Sequence, residues 1–113
     1  MQSEMRCHGI VRKTETEEGR VSLQLVCAGS CAEGKCERRK RTDHHGVTLY
    51  WCSCDDTPGG CNIYIEQRPD GTRSFDCFTL GCDPGWECKP QVIRTEESGG
   101  TTVTEYACAC VKV

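Results

Sequence analysis

One cysteine pattern, written twice, constrains this chain more than any other feature. Cys27, Cys31 and Cys36 are followed, after a long gap, by Cys52-Ser53-Cys54. Cys77, Cys82 and Cys88 are followed in the same way by Cys108-Ala109-Cys110. One further cysteine, Cys7 or Cys61, precedes each set, so twelve cysteines divide into two groups of six. The flanks repeat as well. Thr48-Leu49-Tyr50-Trp51 leads into the first Cys-x-Cys and Thr104-Glu105-Tyr106-Ala107 into the second. Self-similarity of this kind reads as an internal duplication. It places a first cysteine-rich repeat over residues 1–56 and a second over residues 57–113, joined through the hinge Asp55-Asp56-Thr57-Pro58-Gly59-Gly60.

Such a chain needs its cysteines for stability. Hydrophobic residues make up 36% of the 113 residues, and the cysteines are a large share of them. Few Leu, Ile, Val and Phe remain to build a core, and small domains of that kind rely on staples. An even count above a tenth of the chain predicts that all twelve are disulfide-bonded, and therefore an oxidising, secreted or cell-surface location. The alternative is a thiolate metal-binding protein. No Cys-x2-Cys knuckle is present, although Cys31–Cys36 and Cys77–Cys82 have a permitted gap, so no metal ligand is assigned. The start, Met1 to Cys7, has no apolar leader-like run, which implies a processed leader or another route to that compartment. No stretch has the length and apolarity of a membrane span.

The segments between cysteines read as strands. Residues 8–26 form a hairpin that turns over 14–19, with Val21, Leu23 and Leu25 on one face. Residues 37–51 form a second, turning at Asp43 to Gly46. Period two puts Val47, Leu49 and Trp51 on one face, and Thr48, Tyr50, Cys52 and Cys54 on the other. The second repeat follows the same plan, turning at Pro69-Asp70-Gly71 and at Ser98-Gly99-Gly100. No helical periodicity is evident. The expectation is an all-β, disulfide-rich chain of eight short strands, with two β-hairpins per repeat.

Candidate chemistry is sparse. Lys35 to Arg41 is the densest charge run, and Arg38, Arg39 and Arg41 are candidate contacts for an anionic polysaccharide. The same residues suit a solvated edge strand, where charge blocks further pairing. Net charge is −3, and no aromatics are interleaved with the basic run, so a nucleic-acid partner is not expected. Trp86, in a predicted turn, is a candidate exposed anchor for a protein partner; covering a disulfide is its other reading. His44-His45 sit at a turn tip. The chain carries no nucleophile elbow, no phosphate loop and no redox Cys-x2-Cys, so neither an enzyme nor a cofactor is expected.

The order Cys27-x3-Cys31-x4-Cys36-x15-Cys52-x-Cys54-x6-Cys61 resembles an epidermal-growth-factor-like module, as does an aromatic, Tyr50 or Tyr106, before each Cys-x-Cys. The inserted hairpins 8–26 and 62–76 depart from that family, and its acidic calcium signature is missing. The resemblance implies the bonds Cys27–Cys36, Cys31–Cys52, Cys54–Cys61, Cys77–Cys88 and Cys82–Cys108, leaving Cys110 to join Cys7. That last bond would close the chain on itself or string copies into a filament. Its main competitor is Cys7–Cys27, across the first hairpin. The leading functional expectation is a secreted or surface-exposed binding or structural module acting through loops and hairpin faces. Its partner would be a protein or an anionic polysaccharide. The alternative is a self-assembling subunit joined through terminal strands or cysteines.

Overall fold

The computed structural model describes residues 6–113, and Met1 to Met5, on which the expectation about a leader falls, lie outside them. It contains eight strands: β1 (His8–Glu15), β2 (Val21–Ala28), β3 (Glu37–Thr42), β4 (Thr48–Ser53), β5 (Ile63–Gln67), β6 (Arg73–Cys77), β7 (Trp86–Ser98) and β8 (Thr101–Lys112). No helix occurs among the described residues. Each hairpin forms where its turn chemistry dictates. In the β3–β4 turn the Asp43 carboxylate accepts the N–H groups of His45 and Val47 at 2.8 and 3.1 Å. In the β5–β6 turn Asp70 accepts both the N–H and the hydroxyl of Thr72, and Gly71 adopts the left-handed φ of 89° that the turn requires.

The strands assemble into two four-stranded sheets, ordered β2-β1-β8-β7 and β3-β4-β5-β6, antiparallel throughout. Each sheet therefore takes one hairpin from each repeat. Exchanging the repeats turns β1, β2, β3 and β4 into β5, β6, β7 and β8, and converts one sheet into the other read in reverse. Counted from their cysteines, equivalent residues also occupy equivalent rows. Leu25, Val11, Tyr106 and Val92 lie opposite one another across the first sheet. Phe75, Ile65, Tyr50 and Lys40 lie opposite one another across the second.

The sheets bury the middle of these rows against each other, and Val92 and Lys40 at the row ends stay exposed. Val11, Leu25, Cys52, Ile63 and Ile65 form the buried cluster, with Tyr50, Phe75 and Tyr106 packed against it. Period-two alternation puts Trp51 and Tyr64 on the opposite, outer face of the second sheet. Trp51 is nonetheless only 2% exposed. Tyr64 stacks on Phe78 at 4.6 Å, and the Arg41 guanidinium lies 5.7 Å from the Trp51 ring centroid. The first sheet has Ala107 at the position equivalent to Trp51 and lacks this second apolar layer.

All twelve cysteines are bonded: Cys7–Cys36, Cys27–Cys52, Cys31–Cys54, Cys61–Cys88, Cys77–Cys108 and Cys82–Cys110. Within each group of six, the first joins the fourth, the second the fifth and the third the sixth. The pairing implied by the growth-factor-like resemblance is thus not found, and neither are Cys54–Cys61, Cys7–Cys110 or Cys7–Cys27. The strand register supplies the reason. Each hairpin is offset by two residues from the register that would align its flanking cysteines: Cys27 faces Gly9, Cys52 faces Arg38, Cys77 faces Ile63 and Cys108 faces Pro90. No hairpin closes on its own cysteines. The bonds instead tie the first hairpin of a repeat, or the segment next to it, to the second, and Cys27–Cys52 and Cys77–Cys108 staple β2 to β4 and β6 to β8 across the two sheets. Bonds of this kind contribute about 2–4 kcal/mol each in typical cases.

Candidate binding face

The basic strand β3 lies at the edge of the second sheet. Its alternation splits the arginines that the sequence groups together. Arg39 and Arg41 project from the outer face. Arg39 donates to the Cys54 carbonyl at 3.0 Å and pairs with Glu37 at 3.0 Å and Asp56 at 3.6 Å. Its Nε is buried and has no hydrogen-bond partner among the described residues. Arg41 covers Trp51 and donates to the Asp56 carbonyl. Both side chains fasten the hinge between the repeats to β3.

Arg38 and Lys40 project from the other face. The Arg38 guanidinium lies 5.9 Å from the Tyr50 ring centroid, and that of Arg73, from β6, lies 5.6 Å from the same centroid. Two cations thus share one phenol ring, with Lys40 directly across from it in the ladder. Arg73 is held in place by Gln67, whose side-chain oxygen accepts from its Nε at 2.7 Å, and by the Leu23 carbonyl, which accepts from Nη1 at 3.1 Å. No carboxylate of the described residues lies within ion-pair distance of Arg38, Lys40 or Arg73. Stacked, uncompensated guanidiniums are suited to planar anions such as sulfate and carboxylate groups.

Trp86 opens β7 opposite Lys112 and is 46% exposed. It stands on the edge strand of the first sheet, whereas Arg38 and Lys40 stand on an edge strand of the second. His44 and His45 remain at the β3–β4 turn tip with ring centroids 3.9 Å apart. Sequence reasoning singled out neither Tyr50 nor Arg73 for this face. The available signal for Arg73 is a departure from the repeat: four residues before Cys77 the second repeat has an arginine, where the first has Leu23 before Cys27.

The twelve sulfurs are committed to disulfides, which leaves the thiolate metal-binding alternative without a ligand. The disulfide-joined filament loses its bond as well, because Cys7 and Cys110 are satisfied inside their own repeats. No helix of the described residues is long and apolar enough to cross a membrane. The chain is a small disulfide-rich all-β protein, and six disulfides suit an oxidising, extracellular-type environment. It matches no protein-family model, no curated protein and no solved structure.

Proposed function

We propose that this protein is a secreted or cell-surface binding module, not an enzyme, that recognises an anionic polysaccharide through Arg38, Lys40 and Arg73. The observation that carries this reading is the convergence of Arg38 and Arg73 on Tyr50, with no carboxylate to neutralise them. A scaffold stapled by six disulfides holds these groups in place before binding, which lowers the ordering cost of recognition. The net charge is −3, so attraction to a polyanion rests on local positive charge and falls with added salt. Retention on immobilised heparin tests it. Replacing Arg38 and Lys40 together by Ser is expected to lower the eluting salt concentration while leaving the melting temperature almost unchanged. Unchanged retention would sink the proposal.

A further inference from the structure

Two of the four edge strands, β2 and β6, face each other where the exchanged repeats meet. Between them lies an open cleft of about 490 Å³, lined by Val21, Ser22, Leu23, Gly71, Thr72 and Arg73. These six residues are three equivalent pairs. Val21 and Gly71 each stand six residues before the second cysteine of their repeat, Ser22 and Thr72 five, and Leu23 and Arg73 four. The cleft therefore sits on the axis that relates the repeats. A second hollow of about 480 Å³ continues from it along β2, sharing Val21 and Ser22 and ending at Thr14, Thr16 and Arg20. The cleft borders the free edge of β2 at Val21 to Leu23, and the second hollow reaches from it over the tip of the β1–β2 hairpin, where Thr14 lies opposite Ser22.

The backbone along this edge is unpaired in a defined way. Thr16 N–H donates to the Arg20 carbonyl at 2.9 Å, which fixes the phase of the β1–β2 ladder. In an antiparallel ladder the backbone groups alternate between partner and edge. Ser22 and Gln24 thus bond towards β1, and Val21 and Leu23 present theirs outward. The Leu23 carbonyl confirms the phase, since it accepts from Arg73 across the cleft. Val21 keeps both its N–H and its carbonyl for another strand, and its side chain is 53% exposed. Arg20 and Arg73 stand at the two ends of the groove, neither paired with a carboxylate among the described residues.

We propose that this groove is a second recognition site, which takes an extended peptide carrying a carboxylate and adds it as a strand to β2. Main-chain hydrogen bonds at Val21 would supply affinity, and Arg20 and Arg73 would select the acidic group. Strand addition of this type depends mainly on backbone bonding and tolerates many sequences. The site is separate from the Arg38 and Lys40 face, although Arg73 contributes to both.

Chemical-shift mapping of the isotope-labelled full chain tests the assignment. The probes are a six-residue acetylated peptide, Thr-Val-Thr-Val-Thr-Glu with a free carboxyl end, and the same sequence ending in Lys-amide. The acidic peptide is expected to shift the amides of Val21, Leu23 and Arg73, and the Lys-amide peptide to shift them far less. Val21→Pro deletes the outward N–H at an edge position where proline is tolerated. It is expected to keep the spectrum of the fold and weaken the peptide by up to about tenfold, the worth of one hydrogen bond. Arg38→Ser with Lys40→Ser is expected to leave peptide binding intact, so a failed heparin result and a failed peptide result are distinguishable. No shifts at the groove with either peptide at millimolar concentration, or equal shifts with both, overturns the proposal. So does a heparin fragment that moves the groove amides when the acidic peptide does not.

Discussion

Gly9 and Ile63 occupy the same place in the two repeats, each two residues after the first cysteine, and they meet at the centre of the molecule. A Cβ on Gly9 would lie 2.8 Å from Ile63 Cγ2 and 3.0 Å from Leu25 Cδ1. The axis leaves room for one side chain, and the two repeats differ here, with Gly9 in one and Ile63 in the other. Two copies of an identical repeat, each with Ile at this position, would clash there. Gly9→Ala is expected to destabilise the fold by about 1–3 kcal/mol, the usual cost of overpacking. Combining it with Ile63→Ala should cost less than the sum of the two single changes, because the second opens the space that the first needs. Urea unfolding of the four proteins measures this coupling, and strict additivity would show that the contact is absent.

Asn62 is the other asymmetric device at the centre. It is buried, its side-chain oxygen accepts from the N–H groups of Gly9 and Ile63 at 3.0 and 2.9 Å, and its amide donates to the Cys52 carbonyl at 2.7 Å. The side chain thus joins β1, the start of β5 and the end of β4. Asn62→Ala leaves buried backbone groups unsatisfied, each worth about 1–3 kcal/mol. A loss of about 2 kcal/mol or more is expected in chemical unfolding. A change under 0.5 kcal/mol, the range of an ordinary surface substitution, would show that water replaces these bonds.

The arginines of β3 should separate by face. Arg39→Ser and Arg41→Ser remove the hinge contacts to Cys54, Asp56 and Trp51, so thermal stability should fall. Arg38→Ser and Lys40→Ser should leave stability within about 0.5 kcal/mol of the parent and act on heparin retention alone. Equal stability loss from both pairs would mean that the strand is uniformly structural.

Acid should loosen two turns. Hydrogen bonds from Val47 and His45, together with the nearby histidines, hold the Asp43 carboxyl below its ordinary range. The hydroxyl and N–H of Thr72, with Arg68 nearby, do the same for Asp70. A carboxyl with a depressed folded pKa contributes stability that is fully present above its unfolded value and is lost as pH falls through the folded one. Thermal stability should therefore hold from neutral pH down to about 4 and decline below it. Asp43→Asn with Asp70→Asn should flatten that decline, and an unchanged acid limb would remove these carboxylates from the account.

The strands and turns were readable from the sequence because they are local. Alternation such as Val21, Leu23, Leu25, and turns such as Pro69-Asp70-Gly71, need no knowledge of the rest of the chain. Sheet membership was not readable in the same way. Nothing near Val11 signals that it lies opposite Tyr106, or near Ile65 that it lies opposite Tyr50, since these pairings join different repeats. Disulfide connectivity failed for a related reason. Cys7 and Cys27 are equidistant from a turn, yet the hairpin register places Gly9, not Cys7, opposite Cys27. The basic run was visible, and period two alone separates Arg38 and Lys40 from Arg39 and Arg41. Their different roles were hidden, because Tyr50, Arg73 and Asp56 reach them only through the folded sheets.

Disulfide mapping of the unreduced protein tests the central claim most directly, because the bonds record which hairpins are held together. Proteolysis without reduction, with fragmentation between Cys52 and Cys54 and between Cys108 and Cys110, resolves all the pairs. The expected bonds are Cys7–Cys36, Cys27–Cys52 and Cys31–Cys54 in the first repeat, and Cys61–Cys88, Cys77–Cys108 and Cys82–Cys110 in the second. A bond between repeats, such as Cys54–Cys61 or Cys7–Cys110, or a hairpin closed on itself by Cys7–Cys27, would contradict it.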